Sequence, residues 1–347
     1  MLNASLIIIL TLVLIIADRI YHGNKINHSN PVLIDSKMSV MIKAMAIISV
    51  VVCHVGLNTG SRIFTPLGGI GVFIFFFISG YGLSESFKVN GNNAFFKKRI
   101  SKVIVPYYIV ILLFILYNFS NISYVDAIKY FLLILLPSGM FWFIPYVCLW
   151  YILFYIVSII KNKYIKIACF YIISVLMLLL FENKLMREQS FSFFIGVLCS
   201  EFSDNIINFM DRYKAKYISL IFLSAAIVIL AIKQLGSIRN IVINNTSIYL
   251  AIQMPLISLF GLSIIIYCSR CQRYRPSKLI WIIGVNSYEI YLMHAFCIMI
   301  IPFLPFYAIG VLCFIVLTFI TTIIFTKINQ GLLARINLPV IAIKPTP

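Results

Sequence analysis

Lys43 and His54 bracket the stretch KAMAIISVVVCH, eleven residues apart in an otherwise apolar segment. At about 100° per residue, eleven steps end about 20° past three full turns, so a helix carries both side chains on one face. Their separation along the axis is then roughly 16 Å. An imidazole titrates nearest the working pH and can take a proton from a hydroxyl or carry an acyl group. A cation at the cytoplasmic rim with an imidazole near mid-membrane on the same face suits a ligand with an anionic head and a long thin arm, and coenzyme A is such a molecule. The competing reading is structural: a histidine bonded to a neighbouring helix and a lysine snorkelling to the interface. Taken alone, these two residues leave both open.

Two further stretches carry chemistry-bearing side chains. In SYEIYLMH, residues 287–294, a helix places Ser287, Tyr291 and His294 within about 60° of one another. Glu289 points about 140° away from His294, so no carboxylate–imidazole pair forms within that helix, and Glu289 needs a basic group or hydroxyl from another one. The second stretch is KKRISKVIVPYY, residues 97–108. There Arg99 and Lys102 are three apart and fall on one α-helical face, with Lys98 beside them. Such a run sets topology, and its arginine fork also suits phosphate.

The elements that must position these groups follow from composition. Of 347 residues, 62% are hydrophobic and 11% charged, with a mean hydropathy of +1.03. A soluble domain carries about 25% charged residues, and a chain of this size could not bury so much apolar surface away from water. Runs near 20 residues recur, the length that crosses the bilayer as helix. The expected fold is an all-α, polytopic transmembrane bundle of about eleven spans: 4–17, 39–58, 67–86, 103–119, 141–160, 164–181, 189–202, 216–233, 246–268, 280–303 and 306–326. Residues 125–137, flanked by Asp126 and Lys129, read as an interfacial or re-entrant piece. Ionisable groups inside spans are costly and default to functional candidates; here they are Lys43, His54, Glu289 and His294.

The formal charge of +18 sits in short loops between apolar runs, so it reads as positive-inside topology and not as a nucleic-acid surface. Of the 28 Lys and Arg, 22 fall in one alternate set of loops and six in the other. That split puts the first set in the cytoplasm, with the C-terminus inside and the N-terminus outside. The 4–17 run lacks a basic n-region and a small-residue cleavage site, and reads as a retained helix. Residues 1–36 then form an N-terminal helix and loop, 37–330 the main membrane domain, and 331–347 a cytoplasmic tail. Cys53, Cys148, Cys169, Cys199, Cys297 and Cys313 lie in apolar runs and read as small hydrophobes. Cys268 and Cys271 form a lone CxxC without a second pair or a histidine cluster, so no metal site is expected.

In their order along the chain these stretches resemble the acyltransferase-3 family of bacterial integral membrane acyltransferases, the polysaccharide O-acetyltransferase type. The likeness rests on K-x10-H from Lys43 to His54, on SGYGLS at 79–84, on R-x-x-K at 99–102 and on SYEIYLMH at 287–294, with FWFIP at 141–145. It spans residues 37 to about 325 and counts ten helices after the first run, as the family core does. The departure is Lys102 where the family carries a second arginine, which weakens bidentate phosphate binding there.

The resemblance implies transfer of an acetyl or other acyl group from cytoplasmic acetyl-CoA to a hydroxyl of a cell-surface or lipid-linked saccharide, in the bacterial inner membrane. It implies His54 as catalytic residue with Lys43, donor binding by Lys43, Lys98, Arg99 and Lys102, and no metal. Ser79, Ser84, Trp142, Glu289, Tyr291 and His294 would line the acceptor side. Whether His54 acts as general base or is transiently acylated is open at this point. The rival is a flippase or exporter of lipid-linked saccharide; it needs no thioester chemistry and no histidine, and it favours repeated halves that this chain does not show.

Overall fold

The computed structural model describes residues 32–271, 277–298 and 307–336; the 4–17 run, Arg273, Arg275 and the last eleven residues lie outside them. The helices, in chain order, are α1 (Ser36–Asn58), α2 (Thr65–Asn90), α3 (Phe95–Arg99), α4 (Val105–Tyr117), α5 (Tyr124–Phe131), α6 (Phe143–Ser158), α7 (Lys163–Leu180), α8 (Lys184–Glu188), α9 (Ser192–Glu201), α10 (Ser203–Tyr213), α11 (Ala215–Gln234), α12 (Gly236–Asn244), α13 (Thr246–Ile266), α14 (Lys278–Val285), α15 (Ser287–Cys297) and α16 (Tyr307–Arg335). Among the described residues there is no strand. Eight helical stretches are long and apolar enough to cross a bilayer, and the protein is an all-α, multi-pass membrane protein. Side chains such as Leu112, Leu116, Leu180, Ile221 and Leu312 stand exposed on the outer faces of these helices, where lipid is the solvent.

The helix ends are written in short polar side chains. Asp35 caps α1, its carboxylate accepting from the Met38 amide at 2.7 Å. Asn162, Asn183 and Asn245 do the same for α7, α8 and α13, each satisfying orphan amides at a helix start. The interfacial piece expected around 125–137 is α5, capped by Ser123 and carrying an Asp126–Lys129 pair at 3.4 Å.

Two of the expected spans take another form. The 189–202 run yields only the ten residues of α9, behind a short loop from α8. The 280–303 run breaks at Asn286 into α14 and α15. Such interruptions within apolar runs are tolerated at membrane depth only where protein or a cavity covers them. The last helix runs to Arg335, past the boundary at 330 expected for the tail.

The chain divides into two compact units. Of the described residues, those within 32–89 and 156–284 form unit 1, and those within 90–155 and 285–336 form unit 2. In unit 1, α1, α2 and α13 share a core of Ile42, Phe73, Phe77 and Ile257. Small residues let these helices approach: a Cβ on Gly71 would lie 2.5 Å from the Ala46 carbonyl oxygen. In unit 2, α15 and α16 pack together and both meet α4. There the Asn286 side chain accepts from Thr326 at 3.3 Å.

Candidate active site

In unit 1, Lys43 and His54 lie on one uninterrupted 23-residue helix, α1, as their spacing requires, and both are half-buried. Lys43 sits seven residues inside the helix start and His54 four residues before its end, roughly 10 Å and 6 Å from the two ends at 1.5 Å per residue. Along α1, Lys43 thus lies about two turns inside the start, and His54 about one turn before the end. The end is set by Gly60, whose φ of +79° suits glycine, and by the tight approach of Gly56 to Phe64.

The SGYGLS stretch lies on α2 of the same unit. Ser79 is half-buried. Gly80 faces α9 so closely that a Cβ would lie 2.2 Å from the Phe193 carbonyl oxygen; a Cβ on Gly196 would meet that of Phe77 at 2.1 Å. One turn further, Ser84 donates to Glu201 at 3.1 Å, and Glu201 also pairs with Lys166 at 3.2 Å. Beside them Ser200 donates to Glu85 at 2.6 Å and Lys88 to the Ser200 carbonyl at 2.7 Å. Ser84 thus belongs to a polar clamp between α2 and α9, at the end of unit 1 opposite His54.

In unit 2, residues 100–104 between α3 and α4 form a turn of π-helix. The α-helical phasing that would align Arg99 with Lys102 does not hold across it, because the wider turn rotates the later residue away. Arg99 is half-buried with its guanidinium carbon 5.8 Å from the Phe95 ring and 5.6 Å from that of Tyr151, and its buried Nε has no hydrogen-bond partner in the protein. Lys102 is exposed and Lys98 half-buried. A guanidinium beside two aromatic rings keeps its charge and its planar set of N–H donors, the chemistry that an anion would meet.

The SYEIYLMH helix, α15, is tied to its surroundings by its tyrosines. Tyr288 donates to the Val103 carbonyl at 2.9 Å, within the π turn. Tyr291 donates to the Met140 carbonyl, and its ring meets those of Phe141 and Phe143 edge-on at 6.3 and 5.5 Å. Trp142 faces Tyr146 at 6.2 Å. His294 is fully buried, with Nδ1 2.6 Å from the Tyr291 carbonyl. That contact requires Nδ1–H, which in the neutral ring leaves the lone pair on Nε2. Glu289 is buried as well.

One cluster in unit 1 escaped the sequence reading. Glu188, 5% exposed, accepts from the Tyr249 hydroxyl at 2.8 Å. The Lys184 ammonium lies 3.5 Å from the centre of the Tyr249 ring and that of Lys233 4.8 Å. Lys233 donates to Gln253, and Gln189 donates to the Gly69 carbonyl at 3.0 Å. Burial pushes the Glu188 carboxyl above the ordinary carboxylate range, against the pull of Tyr249, Lys233, Gln189 and Lys184. A carboxyl raised in the folded state binds its proton more tightly there than in the unfolded chain. Its contribution to stability is complete below the unfolded value and is lost as pH rises through the folded one. Thermal unfolding should therefore show Glu188→Gln losing less stability than wild type as pH rises above 4.5, the ordinary carboxylate value; parallel profiles would contradict this.

Among the described residues no group of three His, Cys, Asp or Glu side chains converges as a metal site. Cys268 is buried in a π turn, Tyr267–Cys271; the Cys271 side chain is outside the described set.

A family model for an acyltransferase domain matches residues 41–327. No curated protein and no solved structure matches. The match covers most of the chain, including Lys43, His54, Arg99 and the α15 helix, and the chain belongs to the acyltransferase-3 family.

Proposed function

We propose that this membrane acyltransferase moves an acetyl group from acetyl-CoA, supplied at the cytoplasmic side of a bacterial inner membrane, to a hydroxyl of a cell-surface or lipid-linked saccharide. The observation that carries the reading is α1: one unbroken helix bearing a cation and an imidazole on one face, roughly 16 Å apart. His54 takes the proton of the acceptor hydroxyl as its oxygen bonds to the thioester carbonyl carbon. The carbon–sulfur bond then breaks, and the thiolate of coenzyme A leaves with the proton from the imidazolium. Lys43 steadies the donor along the helix. Arg99, with Lys98 and Lys102, supplies charge for the donor phosphates. By the family resemblance Ser79 in unit 1, and separately Trp142, Glu289, Tyr291 and His294 in unit 2, are assigned to acceptor recognition, and Ser84 holds α2 in place within unit 1.

The donor half is tested by acetyl-CoA binding to the purified protein. Loss of a charge-assisted hydrogen bond costs about 1.5–3 kcal/mol, so Arg99→Ala should weaken acetyl-CoA about 10- to 100-fold. Arg99→Lys, which keeps charge but not the planar fork, should fall between. Undiminished affinity in Arg99→Ala would remove Arg99 from the donor site. The acceptor half is tested by O-acetyl analysis of surface polysaccharide from cells with and without the protein.

A further inference from the structure

The Glu188 cluster places two lysines where an anion would be expected. Lys184 and Lys233 reach one Tyr249 ring from different helices, so their ammonium groups lie within about 8 Å of each other, where Coulomb repulsion is felt. The nearest acid, Glu188, is turned inward. One of its oxygens is held by the Tyr249 hydroxyl, and the other lies only 3.1 Å from where a Cβ on Gly69 would stand. Buried Glu188 and half-buried Tyr249 thus form a floor, pinned to α2 by Gln189, with the half-buried lysines against the Tyr249 ring. Two cations over one inward-facing carboxyl leave net positive charge.

The floor also adjoins the catalytic end of α1. Gly68 and Gly69 are consecutive on α2, and a Cβ on Gly68 would lie 2.7 Å from the Cys53 sulfur, next in chain to His54. Adjacent residues of α2 therefore touch His54's neighbour and Glu188, all within unit 1.

We infer that Lys184 and Lys233, set on Tyr249, Glu188 and Gln253, form an oxyanion subsite that receives a phosphate or carboxylate carried by the acceptor. The inference rests on the acyl-transfer reading for the word acceptor; anion binding at these lysines stands without it. The two sources share one chemistry, an oxyanion met by two ammonium donors. A saccharide tethered through a phosphate and an acidic saccharide both satisfy it. Holding that charge fixes the sugar beside the His54 end, which is the positioning that effective transfer needs.

Thermal unfolding of the full chain in detergent tests the binding. Inorganic pyrophosphate is added in one arm and glucuronate in another, and a ligand bound to the native state raises the unfolding temperature by mass action. Wild type should be stabilised by at least one of them, and Lys184→Gln/Lys233→Gln by neither. Pyrophosphate alone points to a phosphate-bearing acceptor, glucuronate alone to an acidic sugar. No stabilisation in either arm, equal stabilisation of the double variant, or stabilisation only by anionic phospholipid micelles overturns the proposal.

Acetyl transfer in cells, read as O-acetyl content, should fall at least tenfold in the glutamine double variant and recover in Lys184→Arg/Lys233→Arg, which keeps the charge if the glutamines disturb folding. Acetyl-CoA affinity is measured on the same samples. A wild type that produces no O-acetyl groups defeats the acyl-transfer reading and leaves the unfolding arms to judge the subsite. A double variant that transfers normally defeats the subsite and leaves acyl transfer standing.

Discussion

Replacing His54 with alanine is expected to lower acetyl transfer by about 10²–10⁴-fold, the range that a positioned general base contributes, while the protein stays folded and membrane-inserted. The expectation of intact folding is physical. His54 lies in the last turns of α1, whose start is capped by Asp35 and whose end is set by Gly60. Alanine has the highest helix propensity, and a half-buried site is not the centre of the core. The assay follows labelled acetyl from acetyl-CoA into saccharide in membranes holding equal amounts of wild type and variant, with thermal unfolding as the folding control. Unchanged O-acetyl content in His54→Ala would end the catalytic assignment. Saccharide export that persists in His54→Ala while no acetyl is found in either protein would favour the transport reading. Incubating wild type with labelled acetyl-CoA and no acceptor separates the two roles of the imidazole. Label retained on the protein and lost in His54→Ala marks an acyl-histidine; an unlabelled protein marks a general base.

What could be read before the structure depended on whether one segment or several had to be known. The face shared by Lys43 and His54 needs only helical periodicity, and it is correct. Their depth needs the helix ends, which Asp35 and Gly60 set and hydropathy does not reveal. Ten apolar runs from residue 39 to 326 were legible, yet the shortening of the 189–202 run to ten helical residues and the break at Asn286 were not, because the apolar residues run on through both places. Hydrophobicity reports lipid or core burial, and a chain can interrupt its helix without changing either. The π turn at Ile100–Ile104 was hidden for a similar reason: its residues suit an α-helix, and the wider turn arises with tertiary contacts such as Tyr288 to Val103. The Glu188 cluster was the hardest to see. It is assembled from residues 184–189, 233 and 249–253, and no short spacing links them. Gln253 is neutral and carries no signal as an ionisable group within a span, and Glu188 and Lys184 count as loop charges until the fold turns them onto Tyr249.

The glycines of the α2–α9 contact predict the second large effect. Gly80 and Gly196 each lie against the backbone of the opposite helix, with a Cβ placed 2.2 Å from the Phe193 carbonyl oxygen in one direction and 2.1 Å from that of Phe77 in the other. Ordinary contact begins near 3.4 Å, so even alanine forces the helices apart by about 1 Å, and the obstacle is backbone, which has no rotamer to change. Close approach through small residues is what holds membrane helices together when lipid removes the hydrophobic drive between them. The damage would not stay local. Ser84–Glu201 and Ser200–Glu85 lie one turn along the same seam, and at 3.1 and 2.6 Å neither survives an added ångström in place. Single alanine variants should therefore lose about 1–3 kcal/mol or more, as overpacking does, and Gly196→Leu should yield little folded protein. The two alanines relieve the same distance. Once Gly80→Ala has opened the seam, Gly196→Ala meets less resistance, and the double variant should lose clearly less than the sum of the singles. Thermal unfolding of all four proteins in one detergent decides it. Additive losses would mean that the contacts act independently, and a wild-type unfolding temperature in Gly196→Ala would mean that the seam is not as close as it stands here. The same seam explains why SGYGLS combines glycine and serine: Gly80 admits the neighbouring helix, and Ser84 hydrogen-bonds to it at the end opposite His54.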